Sequence, residues 1–421
     1  MNPKLHPPSV RNRNNRERIR MMSNKSRLAL WLTFLQLTLL LTGCWDSVEL
    51  NRRAIVSGVS IDRGPTEDTK YKLSFQVIVS EEISGENARS TSPVALYTGS
   101  GRSMYEALSS ASSQTARFLS LGHIRVIVIS EAFAREGIKD IMDVLERESD
   151  MRLTSLIFIS HGQEAVQTMS TMTVFSKIPS NDLVEKLDTT SKLFGYNFRV
   201  EVDDVVRGIQ MNGGGPIING VYVSGNLEKA DSNDNVKTIA PQSILRIAEI
   251  AAFKGDKLKG WLDGSTAIGT SLLHNTIRQY PVLLEEGGGY SAFSIYKSQV
   301  KVSAEGGDAE HPVIRIKVTQ QAALKESTNG KDLTQPRVLT GLADQLTAKC
   351  RSQIEAAIAA ARKLESDYLG FGEAVERSHP RGWKKVKDRW DQIFRECEIV
   401  IEADTVIRHT DMRSRAFEMN R

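Results

Sequence analysis

Residues 41–46 read Leu-Thr-Gly-Cys-Trp-Asp and divide the chain into two parts of different character. An uncharged apolar run ends there, and a long sequence of mixed, globular composition begins. A cysteine preceded by small residues at the end of such a run is the processing site that lipoprotein maturation requires. We therefore predict that a diacylglycerol is attached to Cys44 through a thioether and that the chain is cut before it. Residues 1–43 are then a cleaved lipoprotein signal peptide.

The leader has the charge layout of an export signal. Residues 1–27 carry a net charge of +7, and residues 28–43 carry no charged side chain. The cationic residues are Lys4, Arg11, Arg13, Arg16, Arg18, Arg20, Lys25 and Arg27. Positive charge before an apolar segment keeps the amino terminus inside, which places the rest of the chain on the extracytoplasmic face.

Two alternatives to this leader remain open. The cationic region is unusually long, and translation starting at Met21 or Met22 would shorten it to Lys25 and Arg27. The apolar run at 28–41 has 14 residues, whereas a helix that spans a bilayer needs roughly 20. An uncleaved anchor spanning 31–45 is the competing interpretation, although Gln36 and several threonines make that run less apolar.

The body after the leader is globular and slightly acidic. The chain has 421 residues, of which 40% are hydrophobic and 25% are charged, and its formal charge is +4. Removing the leader, which carries +7, leaves a formal net charge of −3 on the body. The basic pI of the whole chain is therefore no argument for nucleic-acid binding by the body. A chain of this length is expected to form two or three domains.

The first part of the body alternates strand and helix patterns. Strands are expected at 53–62, 71–79, 124–129 and 153–159, with a polar loop at 81–93. Ser103 and Glu106 have capping-box spacing and begin a helix that is expected to continue to Leu119. A second helix is expected at 133–145. This order predicts a mixed α/β domain at 44–205.

Glycine clusters suggest two further boundaries. Gly213-Gly214-Gly215-Pro216 is followed by strand patterns at 217–223, 244–253 and 259–262, with a hairpin turn at 253–258. These strand patterns predict a small β-rich middle domain at 206–286. Gly287-Gly288-Gly289 is interpreted as a linker to the last domain.

The last part of the chain predicts an α+β domain at 287–415, with 416–421 as a tail. Strands are expected at 292–302, 313–319 and 399–407. Apolar residues at three- and four-residue steps predict one helix of about nine turns over 339–368, stopped by Gly370 and Gly372. A second helix is expected at 380–394. The fold class is thus α/β and α+β, with mixed sheets covered by helices.

The body contains little that resembles a catalytic site. Its histidines are scattered, and neither His-Glu-x-x-His nor Cys-x-x-Cys nor Gly-x-Ser-x-Gly occurs. Gly99-Ser100-Gly101 is interpreted as a turn before a helix cap rather than a phosphate cradle. Asp203-Asp204 and Glu285-Glu286 are expected on strands, where neighbouring side chains point to opposite faces. We predict no catalytic residue, no metal and no cofactor, so that the protein is not an enzyme.

Two other features have alternative interpretations. Trp383 and Trp390 flank a run of cations, and they are expected in the core with the cations in solvent; contact with lipid headgroups or a partner is the alternative. His123 is expected to form hydrogen bonds where its strand begins. Cys350 and Cys397 are expected as separate, semi-buried thiols, with a disulfide as the alternative.

Four stretches occur in a particular order along the body. They are Cys44-Trp45-Asp46 with Glu49 and Ile61-Asp62; Leu121-Gly122-His123 with Glu131 to Ile138; Ala252 to Gly260; and Asp367-Tyr368-Leu369-Gly370-Phe371-Gly372 with Pro380, Trp383 and Trp390. Together they resemble the Ger(x)C family of spore germination lipoproteins over almost the whole chain after Cys44. The departures are the long cationic region and an insert around 226–240.

The resemblance implies a C subunit of a nutrient germinant receptor, lipid-anchored in the spore inner membrane on its extracytoplasmic face. It implies integral A-type and B-type subunits as partners, three domains, and no known enzymatic activity. Only the acylated cysteine carries over, onto Cys44. The competing hypotheses are a lipid-anchored solute-binding protein of a transporter, which needs a cleft between two similar lobes, and an exported enzyme, which no motif supports.

Overall fold

The computed structural model of the protein describes residues 28–34, 36, 52–79 and 92–409. Residues 28–34 and Gln36 are helical and form α1. Among the described residues, no helix has both the length and the apolar character needed to cross a membrane. Most of the predicted loop at 81–93 and all of the predicted tail at 416–421 lie outside these ranges.

The strands of the described body belong to two sheets. They are β1 (Arg53–Arg63), β2 (Tyr71–Ile78), β3 (Val94–Gly101), β4 (Phe118–Ser120), β5 (Val126–Ser130), β6 (Leu156–Ser160), β7 (Ile217–Gly225), β8 (Ser243–Lys254), β9 (Lys257–Leu262), β10 (Tyr280–Glu286), β11 (Gly289–Ala304), β12 (Val313–Ser327) and β13 (Glu398–His409).

The helices connect and cover these strands. They are α2 (Met104–Ser112), α3 (Glu131–Glu136), α4 (Lys139–Arg147), α5 (Ala165–Ser170), α6 (Pro179–Leu193), α7 (Val202–Ile209), α8 (Asp234–Lys237), α9 (Gly264–Leu273), α10 (Pro336–Lys363), α11 (Phe371–Ser378), α12 (Pro380–Val386) and α13 (Trp390–Glu396). The expected α/β and α+β class, with mixed sheets and helices, is confirmed.

The first sheet has the order β3-β2-β1-β5-β6-β7-β8-β9, and β4 pairs with β1. Strands β1, β5, β6 and β7 are parallel, and the outer pairs are antiparallel. Parallel strands are covered on both faces and therefore read as continuous apolar runs. Every residue of β5 and of β6 is buried, which explains why these two strands could be predicted.

β3 was missed by sequence analysis. Residues 99–101, predicted as a turn, are the end of this strand, and Gly101 pairs with Tyr71. A Cβ at Gly99 would overlap the backbone of Ala107 in α2, so the glycine allows the helix to approach the sheet. The predicted cap is confirmed, because the Ser103 side chain accepts a hydrogen bond from the Glu106 N–H at 3.2 Å.

Two of the predicted helices are shorter than expected. The first ends at Ser112, and Phe118 and Leu119, predicted on its apolar face, lie in β4. The second is divided into α3 and α4 by Gly137, whose φ of 136° is incompatible with a continuous helix. The apolar pattern correctly predicts that residues of both halves face the core, but it does not reveal that a single glycine interrupts the helix.

The second sheet has the order β10-β11-β12-β13, with β12 and β13 parallel. Gly287 and Gly288 form a two-residue hairpin loop between β10 and β11, with φ values of 61° and 80°. Such tight hairpins require positive φ at the central residues, which glycine adopts without strain. The interpretation of this triple glycine as a linker between domains is therefore wrong.

The long helix α10 lies against the second sheet and against α9. Its predicted apolar stripe is buried, including Leu342, Leu346 and Ile354. The helix ends at Lys363, before the predicted Gly370, because Glu365 adopts a φ of 54°. The second C-terminal helix, predicted over 380–394, is divided into α12 and α13 by a 3-10 turn. The helix α9 was not predicted.

The strands do not follow the predicted domain boundaries. β7, β8 and β9 extend the first sheet, and β10 belongs to the second. Residues 206–286 therefore have no sheet of their own, although they were expected to form a middle domain. The insert at 226–240 contains α8, and Ala230 packs in the core on one face of the first sheet. Independent folding units at 44–205, 206–286 and 287–415 stay a prediction.

The contact between α9 and α10 makes a testable prediction. A Cβ at Gly269 would overlap the Gln353 carbonyl oxygen and lie 2.9 Å from the Cβ of Ala357. Because a packed core resists added volume, Gly269→Ala should lower the free energy of unfolding by about 2 kcal/mol. Denaturant unfolding would measure it.

The matched control for this prediction is Gly341→Ala, in the exposed part of α10. A Cβ there meets open space, and alanine is the better helix former, so stability should rise by about 0.5–1 kcal/mol. Equal effects of the two alanines would show that helix propensity, not the close approach of α9 and α10, decides the result.

Candidate functional site

Cys44, the predicted lipid-attachment residue, lies outside the described residues, as do Trp45, Asp46 and Glu49. Its acylation stays a prediction. The described part of the body starts at Arg52, and β1 starts at Arg53.

Two of the four sequence stretches identified above meet with the Gly213–Pro216 turn at one place, which we call the junction. It comprises 213–216, 253–258 and 366–372. The Gly255 N–H donates to the Gly214 carbonyl at 2.7 Å, and the Asp367 N–H donates to the Gly213 carbonyl at 3.0 Å. The Ser366 hydroxyl donates to the Phe253 carbonyl at 2.6 Å. The junction thus connects the first sheet to the helices that follow α10.

Asp367 is the centre of the junction. One carboxylate oxygen accepts the Phe371 N–H at 3.0 Å, and the other accepts the Gly372 N–H at 2.6 Å and the Trp390 indole N–H at 2.9 Å. Burial raises the pKa of Asp367 to about 6, although these three hydrogen bonds lower it. The side chain therefore holds the start of α11 and the start of α13 together.

The hairpin at 253–258 also connects the junction to the turn between α3 and α4. The Ile138 N–H donates to the Asp256 carbonyl at 2.9 Å, and the Lys139 N–H donates to the Asp256 carboxylate at 3.3 Å. A Cβ at Gly137 would lie 2.5 Å from that carboxylate. The glycine that divides α3 from α4 is thus also the place where the hairpin tip packs.

A cleft of about 470 Å³ lies beside the junction. Its walls include Phe198 and Leu273, Tyr368 of the junction, and the arginines Arg207 and Arg377. Arg207 bonds to Asp203 and Asp204, and Arg377 lies 3.6 Å from Glu373. A third arginine of the wall, Arg199, is paired with Asp188 and Glu201. The cleft therefore combines an apolar wall with cations whose charge is locally neutralised.

The structure corrects the expected placement of one pair of acids in this cleft. Asp203 and Asp204 are in the first turn of α7, not on a strand. Negative side chains there interact favourably with the helix dipole, and Asp204 also accepts the Glu201 N–H at 3.0 Å. In the other pair, Glu286 ends β10 and bonds to Lys331. Neither pair has the arrangement of a general acid and base.

His274 contacts the junction directly. Its Nε2 donates to the Tyr368 carbonyl at 2.8 Å, and its ring stacks over Phe198 with centroids 6.5 Å apart. Burial lowers its pKa, so it is neutral near pH 7. Across the described residues, no group of His, Cys, Asp and Glu is arranged to hold a metal ion.

The remaining sequence candidates are accounted for by packing. Trp383 and Trp390 are buried and contact each other edge-to-face at 5.2 Å, which confirms the core interpretation. Cys350 and Cys397 are free and buried, so the expectation of separate thiols is confirmed. His123 is exposed in the turn just before β5, and its side chain has no hydrogen-bond partner among the described residues, so the expected hydrogen bonding is not found.

A polar network that was not predicted from the sequence lies at the carboxyl ends of β5 and β6. His161 bonds to Glu249 and stacks on Trp261 with centroids 4.0 Å apart. The Trp261 indole donates to Glu131 at 3.1 Å, and the Gly162 N–H donates to the same carboxylate at 3.0 Å. Burial raises the pKa of Glu131, but these two hydrogen bonds and the interaction with Arg135 outweigh it, so the pKa lies below its usual value. The members are far apart in sequence, so no spacing signal could reveal them.

The environment of Asp62, which belongs to the first of the four stretches, predicts that the stability of the protein depends on pH. Its carboxylate accepts the N–H groups of Ala165 and Val166 at 2.6 and 2.9 Å. Burial raises its pKa to about 6, although those bonds lower it. Because the folded pKa lies above the unfolded value, the stabilisation is complete below about pH 4 and is lost as pH rises through about 6.

We expect Asp62→Asn to reveal this loss. The free energy of unfolding of the wild type minus that of the variant should fall by about 2–3 kcal/mol between about pH 4 and pH 7. Denaturant unfolding at several pH values measures it. A difference that does not change with pH would contradict the expectation, whatever its absolute size.

Sequence models of one protein family match the body almost from end to end. The model described as "Spore germination protein N-terminal domain" matches 46–222, and the one described as "Spore germination B3/ GerAC like, C-terminal" matches 248–411. The first match begins two residues after Cys44.

Similar proteins agree with these matches. Spore germination protein KC of Bacillus subtilis (strain 168) is 30% identical over 385 residues, which cover 89% of this chain and 94% of that protein. Spore germination protein B3 of the same organism is 24% identical over 372 residues, covering 86% and 92%. The crystal structure of the GerBC protein has a TM-score of 0.53 and 20% identity, covering 83% of this chain and 96% of that one. That likeness shows a shared fold.

Proposed function

Because the chain belongs to the Ger(x)C family of spore germination proteins, we propose that it is a lipid-anchored subunit of a nutrient germinant receptor. Acyl chains on Cys44 hold it at the extracytoplasmic face of the spore inner membrane. There it assembles with A-type and B-type integral membrane subunits. The observation that carries the proposal is the extent of the family match, which covers 46–222 and 248–411 and leaves only the leader and short segments outside it.

The proposed contribution of this subunit is assembly rather than catalysis. The buried carboxylates with raised pKa values, Asp62 and Asp367, bind backbone and indole N–H groups inside the body. Neither of them lines the junction cleft, where an acid and a base would have to meet a substrate. Their geometry fits a rigid body that presents fixed surfaces.

Anchoring explains how such a body reaches its partners. Two acyl chains give stable membrane attachment where one does not. Confinement to the bilayer surface raises the effective concentration toward membrane subunits without any further contact. The two sheets, connected through the junction, then keep their partner surfaces in a defined relative arrangement.

The test is photo-crosslinking in membranes of dormant spores, together with the germination response of spores that lack the protein. A crosslinking residue would replace Phe175, which is 91% exposed, or Leu283, which is 50% exposed. We expect integral A-type and B-type subunits among the crosslinked products, and loss of the response to one class of nutrient. Normal germination without the protein, or a transporter permease as the crosslinked partner, would contradict the proposal; the permease would favour a solute-binding protein.

A further inference from the structure

A second cleft, which we call the amino-end cleft, lies where the parallel strands of the first sheet begin. Its volume is about 520 Å³, and it is open between the amino ends of β1, β5 and β6 and the flank of α6. Ile55 of β1 forms part of its wall, together with Arg125, Arg152 and Arg199. Arg125 and Arg152 line this cleft alone, whereas Arg199 also lines the junction cleft.

Two of the three arginines in the amino-end cleft carry charge that is not compensated locally. The third, Arg199, lies 3.3 Å from Asp188 and 3.5 Å from Glu201. Arg125 bonds to the neutral Asn181 side chain at 2.7 Å. Within 52–79 and 92–409, neither Arg125 nor Arg152 forms an ion pair, and both are exposed. This differs from the junction cleft, where each arginine named above has its own carboxylate.

The cleft lies at the end of the sheet that is closest along the chain to Cys44. β1 begins at Arg53, nine residues after Cys44, and nine residues span at most about 30 Å. β1 itself has 11 residues, or about 36 Å of strand. A lipid on Cys44 therefore limits how far the amino ends of the strands can move from the bilayer, and it limits their carboxyl ends much less.

We propose that the amino-end cleft docks on the headgroups of anionic phospholipids, with Arg125 and Arg152 contacting their phosphates. The inference rests on the proposed anchor at Cys44. The guanidinium group suits this role because its planar set of donors matches phosphate oxygens and it is weakly hydrated. Docking would fix the orientation of the body on the membrane, which a flexible tether alone cannot do.

The experiment measures how well the cleft is protected on vesicles that carry the mature, lipidated protein. Thr154 lines the cleft and is exposed, so Thr154→Cys reports on access for a membrane-impermeant maleimide. Tyr105→Cys is the matched control, because Tyr105 is 80% exposed and its helix α2 follows the opposite end of the sheet. The native Cys350 and Cys397 are buried and remain unlabelled in the folded protein.

We expect phosphatidylglycerol in the vesicles to slow labelling of Thr154→Cys at least about fivefold relative to phosphatidylcholine alone. Tyr105→Cys should react at the same rate in both. Adding Arg125→Gln and Arg152→Gln, or raising the salt to about 0.5 M, should restore labelling. Arg102→Gln with Arg135→Gln removes the same charge at the other end of the sheet and should leave the protection intact.

Three outcomes would overturn the proposal. They are equal labelling of Thr154→Cys on both kinds of vesicle, protection that persists without Arg125 and Arg152, and equal protection by inorganic phosphate on neutral vesicles. The last outcome would identify a soluble anion as the ligand. Failure of the anchor itself is distinguishable, because protein without acyl chains does not float with the vesicles at all.

Discussion

Replacing Cys44 by alanine should abolish lipid attachment and lower the membrane-bound fraction of the protein at least about tenfold. The reason is that the acyl chains are the proposed anchor, whereas the proposed contacts of the body with headgroups and membrane subunits are peripheral. The apolar run at 28–41 is 14 residues long, short of the roughly 20 that a spanning helix needs. Among the described residues, no helix is suited to cross a membrane. Metabolic labelling with palmitate and fractionation after an alkaline wash would measure both effects.

Cys350→Ala is the matched control for the Cys44 prediction. Burial raises the pKa of the Cys350 thiol to about 12, so this cysteine is neither ionised nor accessible to a modifying enzyme. The variant should keep its full lipid label and its membrane location. Label that survives Cys44→Ala, or that disappears with Cys350→Ala, would show that the acyl chain is attached elsewhere.

The same pair of variants separates folding from location. Cys44 precedes the first strand of the two sheets by nine residues in the sequence, so we expect Cys44→Ala to leave the unfolding midpoint unchanged while the germination response falls with the membrane-bound fraction. A normal germination response from the released protein would mean that assembly does not depend on the anchor.

Elements with a strong local pattern could be predicted from the sequence. β5 and β6 are short, fully buried apolar runs that can be recognised by their length and composition. α10 carries a long apolar stripe that can be recognised by its helical period. β3 and α9 could not be found in this way. Gly99 and Gly101 in β3 and Gly269 in α9 are glycines required by close packing against another element, and such residues resemble turn signals when only the sequence is known.

The junction shows the same division between local and long-range information. Asp367 and the hairpin at 253–258 could be recognised as parts of a family pattern, but their roles depend on partners such as Trp390 and Gly213 that lie far away in sequence. The arginines of the amino-end cleft are likewise brought together by parallel strands whose order no local signal specifies. Sheet order is set by the whole fold, because a parallel connection needs a crossover between distant segments.

The second large effect is expected at the junction, where Asp367→Ala should destabilise the protein by about 3–5 kcal/mol. The substitution leaves three buried donors without an acceptor: the N–H groups of Phe371 and Gly372 and the indole N–H of Trp390. Each unpaired buried donor costs about 1–3 kcal/mol. The substitution also removes a carboxylate whose burial is unfavourable, and this offsets part of the total cost of the three donors. Denaturant unfolding followed by tryptophan fluorescence would measure the loss.

Asp388→Ala is the control, because Asp388 is an exposed acid two residues before Trp390, and it should change stability by less than about 0.5 kcal/mol. A second comparison tests the mechanism itself. Trp390→Phe removes the indole donor from the other side, so the double variant with Asp367→Ala should be less destabilised than the sum of the single variants, because the indole N–H can be lost only once. Strict additivity would mean that Asp367 and Trp390 act independently and that the carboxylate stabilises the junction only through the backbone of α11.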